Sequence, residues 1–194
     1  HPDGRRGFRR INTACRKLRC RFEQLRDLPN ILRRGDYMLS MDLAAAFWHV
    51  PMAKTSQRFV SWHLALPPSL QALPPGAYWV VDEAGRRLHA VVERSCAALP
   101  FGWTSSPFIW TKVVKVLARA MRSRGIRCLW FLDDALIALP SKAAAHAARD
   151  LIEELLANSG LTRAPDKGVW QPTRTLPDHL GFEISTLGSH GHIK

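Results

Sequence analysis

The sequence predicts an α+β fold: an antiparallel sheet with helices packed on one face. Two strongly patterned helices carry the first part of that prediction. One starts at Ser106 and shows an apolar stripe of Ile109, Val113, Val116, Leu117, Ala120 and Met121; the other follows Ser141, with Ala144, Ala147, Ala148, Leu151, Ile152, Leu155 and Leu156 on one face. Between them, the apolar runs 126–132 and 135–139 are separated only by Asp133-Asp134, which reads as two strands joined by a two-residue hairpin loop. The third observation is the order strand, hairpin, helix, hairpin, helix, strand. It is spread over 194 residues with 46% hydrophobic content, enough for one sizeable core or two small lobes.

Taken in order, the first ~25 residues are arginine-rich and weakly patterned, which permits only loops or short strands. Residues 22–34 read as helical, split by Pro29, with Asp27 available to cap the second piece. Residues 37–42 read as a strand, 44–48 as a short helical turn and 58–63 as another strand. Pro67, Pro68, Pro74 and Pro75 mark a loop, and 77–81 with 87–93 flank Asp82-Glu83-Ala84-Gly85 as an inserted, surface-exposed hairpin. Ser106 can cap the next helix, with Pro107 in its first turn and Gly125 closing it. Arg119, Arg122 and Arg124 crowd its last turns, where cations suit the helix dipole and are also free to meet nucleic acid. Ser141 caps the second helix, Gly160 lies near its end, and a last strand is expected at 180–184.

Lysine and arginine outnumber aspartate and glutamate by 28 to 16, a formal charge of +12. That balance favours a polyanionic partner, nucleic acid ahead of an anionic membrane surface. No apolar run approaches the ~18 residues needed to span a bilayer, and no signal-like stretch follows the basic N-terminus, so an intracellular protein of cytoplasm or nucleus is expected. Cys15, Cys20, Cys96 and Cys128 lack zinc-site spacing and are read as free thiols. The start at His1-Pro2 and the stop at Ile193-Lys194 suggest a piece of a longer polyprotein.

Adjacent aspartates in a hairpin turn repel one another, so either they form a plain polar turn or a cation compensates them. Trp130-Phe131-Leu132 and Ala135-Leu136-Ile137 would bury the flanking strands and leave the carboxylates at the rim of a rigid sheet. Asp42 ends the apolar strand 37–41 and is either an N-cap for 44–48 or a further metal carboxylate. With Asp133 on an adjacent strand, it could hold two Mg²⁺ ions about 4 Å apart, since hard oxygen ligands with open positions suit that ion.

At this point the sequence resembles reverse transcriptases. Phe131-Leu132-Asp133-Asp134 is similar to their aromatic-x-Asp-Asp box, with Phe in place of the usual tyrosine, and Asp42-Leu43-Ala44-Ala45-Ala46-Phe47 to their first catalytic motif. Leu99-Pro100-Phe101-Gly102 followed by Ser106-Pro107 resembles the LPFG-x-x-x-SP segment of retroelement enzymes. Ser159-Gly160-Leu161-Thr162 with Ala164-Pro165-Asp166-Lys167 resembles the segment that brings a lysine to the triphosphate, and Leu180-Gly181-Phe182 the primer-grip strand. Phe8-Arg9-Arg10-Ile11-Asn12 is similar to the end of the fingers segment. The LPFG form, Glu23, Gly35-Asp36-Tyr37 and His49-Val50-Pro51 look most like retrotransposons of the gypsy or DIRS type.

The resemblance implies a right-hand polymerase palm plus partial fingers. It divides the chain into partial fingers (1–36), palm with the first catalytic motif (37–65), an inserted hairpin or fingers (66–98), palm (99–178), and the primer-grip strand with the start of the thumb connection (179–194). The implied activity is addition of dNTPs to a primer 3′-hydroxyl on an RNA or DNA template with two Mg²⁺, for which Mn²⁺ can substitute. Asp42, Asp133 and Asp134 would be the metal carboxylates, with the Leu43 carbonyl assisting. Lys167 would act on the pyrophosphate, or else be a solvated lysine in a turn. Leu43, Ala44, Ala45, Ala46, Phe47, Phe101, Gly102 and Arg6 would line the nucleotide site, with Phe47 excluding ribose. Phe131, Leu132, Leu180, Gly181 and Phe182 would meet the primer. Phe47 and Phe101 are also explained by packing, and Trp103 and Trp110 are candidates for base stacking. Ribonuclease H and integrase or recombinase segments would lie in the rest of a retroelement polyprotein. An inactive, nucleic-acid-binding remnant and an RNA-synthesising polymerase are the alternative readings.

Overall fold

A computed structural model describes residues 8–70, 72–188 and 192–193. Along the chain run α1 (Arg9–Ala14), β1 (Tyr37–Asp42), α2 (Lys54–Gln57), β2 (Ser61–Ala65), β3 (Ala77–Val81), β4 (Arg87–Ser95), α3 (Ser106–Arg122), β5 (Arg127–Phe131), β6 (Asp134–Leu139), α4 (Lys142–Ser159), β7 (Thr175–His179), β8 (Phe182–Ser185) and β9 (His192–Ile193). Two compact units result, one from the chain up to Lys17 with Val50–Ser106, the other from Leu18–His49 and Pro107 onward. The expected mixture of helices and antiparallel sheets is present.

In the first unit, β4 lies between β2 and β3 in an antiparallel sheet. The expected hairpin is therefore two strands of a larger sheet, because Ala90, Val91 and Val92 at the middle of β4 are buried between neighbours on both sides. Its turn is tied by Asp82, whose carboxylate accepts the backbone N–H groups of Ala84 and Arg86 at 3.0 and 2.9 Å. The strand expected at 58–63 begins only at Ser61, since Arg58–Val60 continues the turn of α2 as a 3-10 helix. Ser106 does not cap α3. Its hydroxyl is buried and donates to the Pro100 carbonyl at 2.7 Å, closing the loop before the helix instead.

In the second unit the sheet order is β1-β6-β5, antiparallel throughout. Ala135 to Leu139 are all buried, as a central strand covered on both faces requires. One face, formed by Met38, Leu136 and Leu129, packs with Leu28, Leu176 and Ile184 into a single apolar cluster. Leu39 and Ile137 on the other face are fully buried, and α4 lies against β1 and β6. Ser141 caps α4 by accepting the Ala144 N–H at 3.1 Å, and Gly160 ends it in the left-handed conformation at φ +69°.

Further details differ from the sequence expectation, beginning with α1, a helix over Arg9–Ala14 where only loops or short strands were expected. Residues Leu25–Asn30 form one 3-10 helix that absorbs Pro29, and Asp27 closes its start by accepting the Gln24 N–H at 2.8 Å. The buried side of α3 is Trp110, Val114, Leu117, Ala118 and Met121, while Val116 is exposed. Apolar residues lie on more than one side of this helix, so periodicity alone left its phase open. Trp110 is fully buried, with its indole N–H on the Leu132 carbonyl at 3.2 Å, and so cannot stack on a base; Trp103 turns its N–H to the Cys15 sulfur. All four cysteines are unpaired, as expected.

A buried ion pair locks the start of β1 to β5. Asp36, 3% exposed, receives both terminal nitrogens of Arg127 at 2.7 and 2.8 Å, and the Thr186 hydroxyl donates to the Asp36 carbonyl at 2.7 Å. Removing one partner strands the other charge. Asp36→Ala should lower the urea-unfolding free energy by about 3 kcal/mol, at the lower end of the range for breaking a buried pair because Arg127 is part-exposed.

Candidate active site

Strand register brings the two acidic motifs together. Tyr37 pairs with Leu139, and the ladder runs without a slip to Asp42 opposite Asp134. Period-two alternation then sets both aspartates on the face that carries Met38 and Leu136. Phe131 also pairs with Asp134, so the hairpin loop is Leu132-Asp133 and not the expected Asp133-Asp134. Leu132 makes this turn at φ +57°, a left-handed conformation that costs a bulky residue strain. Asp134 is the first residue of β6, and the Asp133 carbonyl accepts the Leu43 N–H at 3.0 Å.

Lys167 reaches this pair from a segment clamped along the free edge of β1. Ala44 N–H donates to Thr162, Ala164 N–H to Asp42 and Ser40 N–H to Val169, at 2.8–2.9 Å, and the Val169 N–H returns to the Ser40 hydroxyl at 2.8 Å. Gly168 makes the seat possible. A Cβ there would press on the Ser40 carbonyl oxygen, 2.8 Å from its carbon and 2.9 Å from the Met41 Cα. The Lys167 ammonium stands 3.4 Å from an Asp42 oxygen, with the lysine side chain 61% and the aspartate 13% exposed.

A recess of about 230 Å³ opens here, walled by Asp42, Asp134, Lys167, Asp178, His179 and Leu180 among others. Asp178, His179, Ser40 and Gly168 were not singled out in the sequence. A serine alternating with apolar strand residues and a glycine beside Lys167 were the only local signals for the last two. Leu180 and Gly181, at φ +55° and +82°, form the two-residue loop between β7 and β8, so the strand expected at 180–184 begins at Phe182.

The remaining sequence candidates are placed as follows. Leu43 and Ala46 are buried, Ala45 turns at φ +51°, and the Phe47 ring meets Trp110 edge-on at 6.3 Å. Phe131 packs on Phe22 with ring centroids 5.8 Å apart. Phe101 and Gly102 belong to the first unit. Phe101 is exposed, and Gly102 turns at φ +88° with its carbonyl held by the Asn12 amide at 2.8 Å. Arg6 lies outside the described residues.

Electrostatics mark the cluster as short of positive charge. Burial first, then the Asp133 and Asp42 charges, push the Asp134 carboxyl from 3.8 up to about 6. Burial and the Asp42 charge also raise Asp133, while Asp42 raises the Lys167 ammonium. Hard carboxylate oxygens that repel one another and already attract an ammonium suit a divalent cation. Among the described residues, no three His, Cys, Asp or Glu side chains converge closely enough to form a finished metal cage.

A raised carboxyl opposes folding once ionised. The folded state keeps the Asp134 proton where the unfolded chain has lost it, so stability falls as pH rises from 3.8 towards about 6 and stays lower above. Asp134→Asn should therefore stabilise the metal-free fold at pH 7, by on the order of 1 kcal/mol after solvent screening. Thermal melts of both proteins at pH 4 and pH 7 should show the gain at pH 7 only.

The family model described as reverse transcriptase (RNA-dependent DNA polymerase) matches residues 6–184. The Gag-Pol polyproteins of Rous sarcoma virus subgroup B (strain Schmidt-Ruppin) and avian leukosis virus subgroup A (isolate RSA) are each 27% identical over 157 residues, 80% of this chain and 8% of theirs. A foamy viral protease-reverse transcriptase solved with double-stranded DNA superposes at a TM-score of 0.70, with 17% identity, over 97% of this chain and 27% of that one. The same enzyme with an RNA/DNA hybrid gives 0.67 at 18% identity, over 93% and 20%. The chain thus spans a small part of these relatives' length, but the matched segment covers nearly all of its own. It belongs to the reverse transcriptase (RNA-dependent DNA polymerase) family.

Proposed function

We propose that this chain is the palm and partial fingers of a retrotransposon reverse transcriptase, of gypsy or DIRS type, that adds dNTPs to a primer 3′-hydroxyl on an RNA or DNA template. The observation that carries this reading is the register pairing of Asp42 with Asp134 at a strained turn, with Lys167 against Asp42. Residues 37–65 and 99–178 are read as palm, 1–36 and 66–98 as fingers, and 179–194 as the primer-grip strand leading to the thumb. The excess of basic residues suits a primer-template, and the rest of a retroelement polyprotein would supply its other activities.

Asp42, Asp133 and Asp134, with the Leu43 carbonyl, would hold two Mg²⁺ or Mn²⁺ ions, which when bound acidify the primer hydroxyl and neutralise the leaving pyrophosphate. The primer oxygen forms its bond to the α-phosphorus as the bond to the pyrophosphate oxygen breaks. The hydroxyl proton leaves to water. Lys167, brought to Asp42 by a backbone that Gly168 lets approach β1, donates a proton to the departing pyrophosphate or neutralises it. Phe47, backed by Trp110, presents an aromatic edge to the incoming sugar and offers a 2′-hydroxyl no hydrogen bond. By the resemblance, Phe101, Gly102 and Arg6 would serve the incoming nucleotide, and Phe131, Leu132, Leu180, Gly181 and Phe182 the primer.

Primer extension on an RNA template with Mg²⁺ or Mn²⁺ tests the reading directly. Asp133→Asn should cut extension by at least about a hundredfold, because metal ligation contributes several kcal/mol to the transition state, with melting temperature and template affinity nearly unchanged. Retained activity above about a tenth would contradict the metal assignment. Phe47→Val should raise rNTP incorporation relative to dNTP. A parallel loss with both substrates would make Phe47 a packing residue instead.

A further inference from the structure

The turn that leads from Asp42 to Phe47 has little of its own to hold it. Residues 44–46 are three alanines, and Ala45 stands at φ +51°, in the left-handed region that residues with a side chain avoid. Such a conformation persists where neighbours overdetermine it. Backbone bonds fix the turn on either side of the strain. The Leu43 N–H donates to the Asp133 carbonyl at 3.0 Å and the Ala44 N–H to Thr162 at 2.8 Å, while the Ala45 carbonyl accepts the Trp48 N–H at 2.8 Å. Between them lies the peptide group joining Ala44 to Ala45, the one whose flip would release Ala45 from positive φ. Its carbonyl is held by a side chain: His49 Nε2 stands 2.9 Å from the Ala44 oxygen. A carbonyl only accepts, so the bond places a hydrogen on Nε2. Among residues 43–49, Trp48 has the other polar side-chain atom, and Trp48 is 68% exposed.

Phe47 lies inside the span that this bond closes, in the 3-10 helix Ala46–His49. Its ring meets Trp110 edge-on, so its place depends on that packing and on the backbone of the turn together. Resting on the reading in which Phe47 meets the incoming sugar, we propose that His49 is a positioning residue for sugar discrimination. Its bond to the Ala44 carbonyl keeps the turn in the strained conformation that sets the Phe47 ring at one distance from the 2′ position. Without the bond, the peptide flips, Ala45 relaxes and the ring shifts. Exclusion of a 2′-hydroxyl is sensitive to displacements of about 1 Å, so discrimination falls while dNTP addition is largely kept.

The test measures kcat/KM for a dNTP and the matching rNTP on one primer-template, with wild type, His49→Leu, His49→Gln, Phe47→Val and the double variant. Melting temperature is followed in parallel. His49→Leu should lower the ratio of dNTP to rNTP kcat/KM about fivefold, the size of one neutral hydrogen bond. His49→Gln, whose amide N–H can reach the same carbonyl, should restore most of the ratio. In the Phe47→Val background, His49→Leu should change the ratio no further, because the ring that His49 positions is gone. The proposal is overturned if His49→Leu keeps the wild-type ratio, if it lowers the melting temperature and both kcat/KM values in proportion, if glutamine is as poor as leucine, or if the loss adds in full to that of Phe47→Val. A wild-type ratio in Phe47→Val would instead overturn the reading of Phe47, and failure of wild type to extend any primer the polymerase reading; this inference falls with either.

Discussion

The pairing of β6 with β1 in one register fixes where Asp42 and Asp134 stand. Six consecutive residue pairs, from Tyr37 opposite Leu139 to Asp42 opposite Asp134, share a ladder in which each buried apolar residue enforces the next. A slip by one residue would turn Leu136 away from the cluster with Met38 and Leu129, and would carry Asp134 to the opposite face. The apolar core therefore holds two mutually repelling carboxylates side by side, and the free energy that does so comes from burial elsewhere on the same strands.

Backbone strain gathers in the same place. Ala45, Leu132 and Leu180 are the non-glycine residues at positive φ among those described. One follows Asp42, one precedes Asp133, and one lines the recess. Such conformations persist where surroundings overdetermine them. Here the surroundings are visible: the Thr162 and Asp133 carbonyls take the N–H groups of Ala44 and Leu43, Trp110 holds the Leu132 carbonyl, and Asp178 holds Gly181. The raised Asp134 carboxyl adds an electrostatic cost to the strained turn. A cation entering the cluster would relieve that cost, so the fold stores at one end of its sheet the attraction a metal-dependent site needs.

Lysine placement follows from a different constraint. The segment 162–173 covers the open edge of β1 without becoming a strand, which removes an unpaired edge and delivers Lys167 to Asp42 at once. Gly168 is required there twice, for its φ of +73° and for its lack of a Cβ against Ser40.

By itself the sequence determined the fold class, the two long helices, the strand ending in Asp42, the strand over Ala135–Leu139, and the reverse transcriptase resemblance that the family match bears out. Those features are written in local periodicity, caps and short motifs, which need no knowledge of distant residues. It did not determine the phase of α3, the burial of Trp110 or the exact loop of the aspartate hairpin. Several outcomes were possible in each case, and packing chose one. Tertiary structure alone brought Asp178 and His179 to the carboxylates, seated Lys167 by way of Gly168 and made β4 the centre of a sheet. These depend on strand register and on contacts between residues distant in the chain, 125 positions apart for Lys167 and Asp42, where no local pattern carries the information.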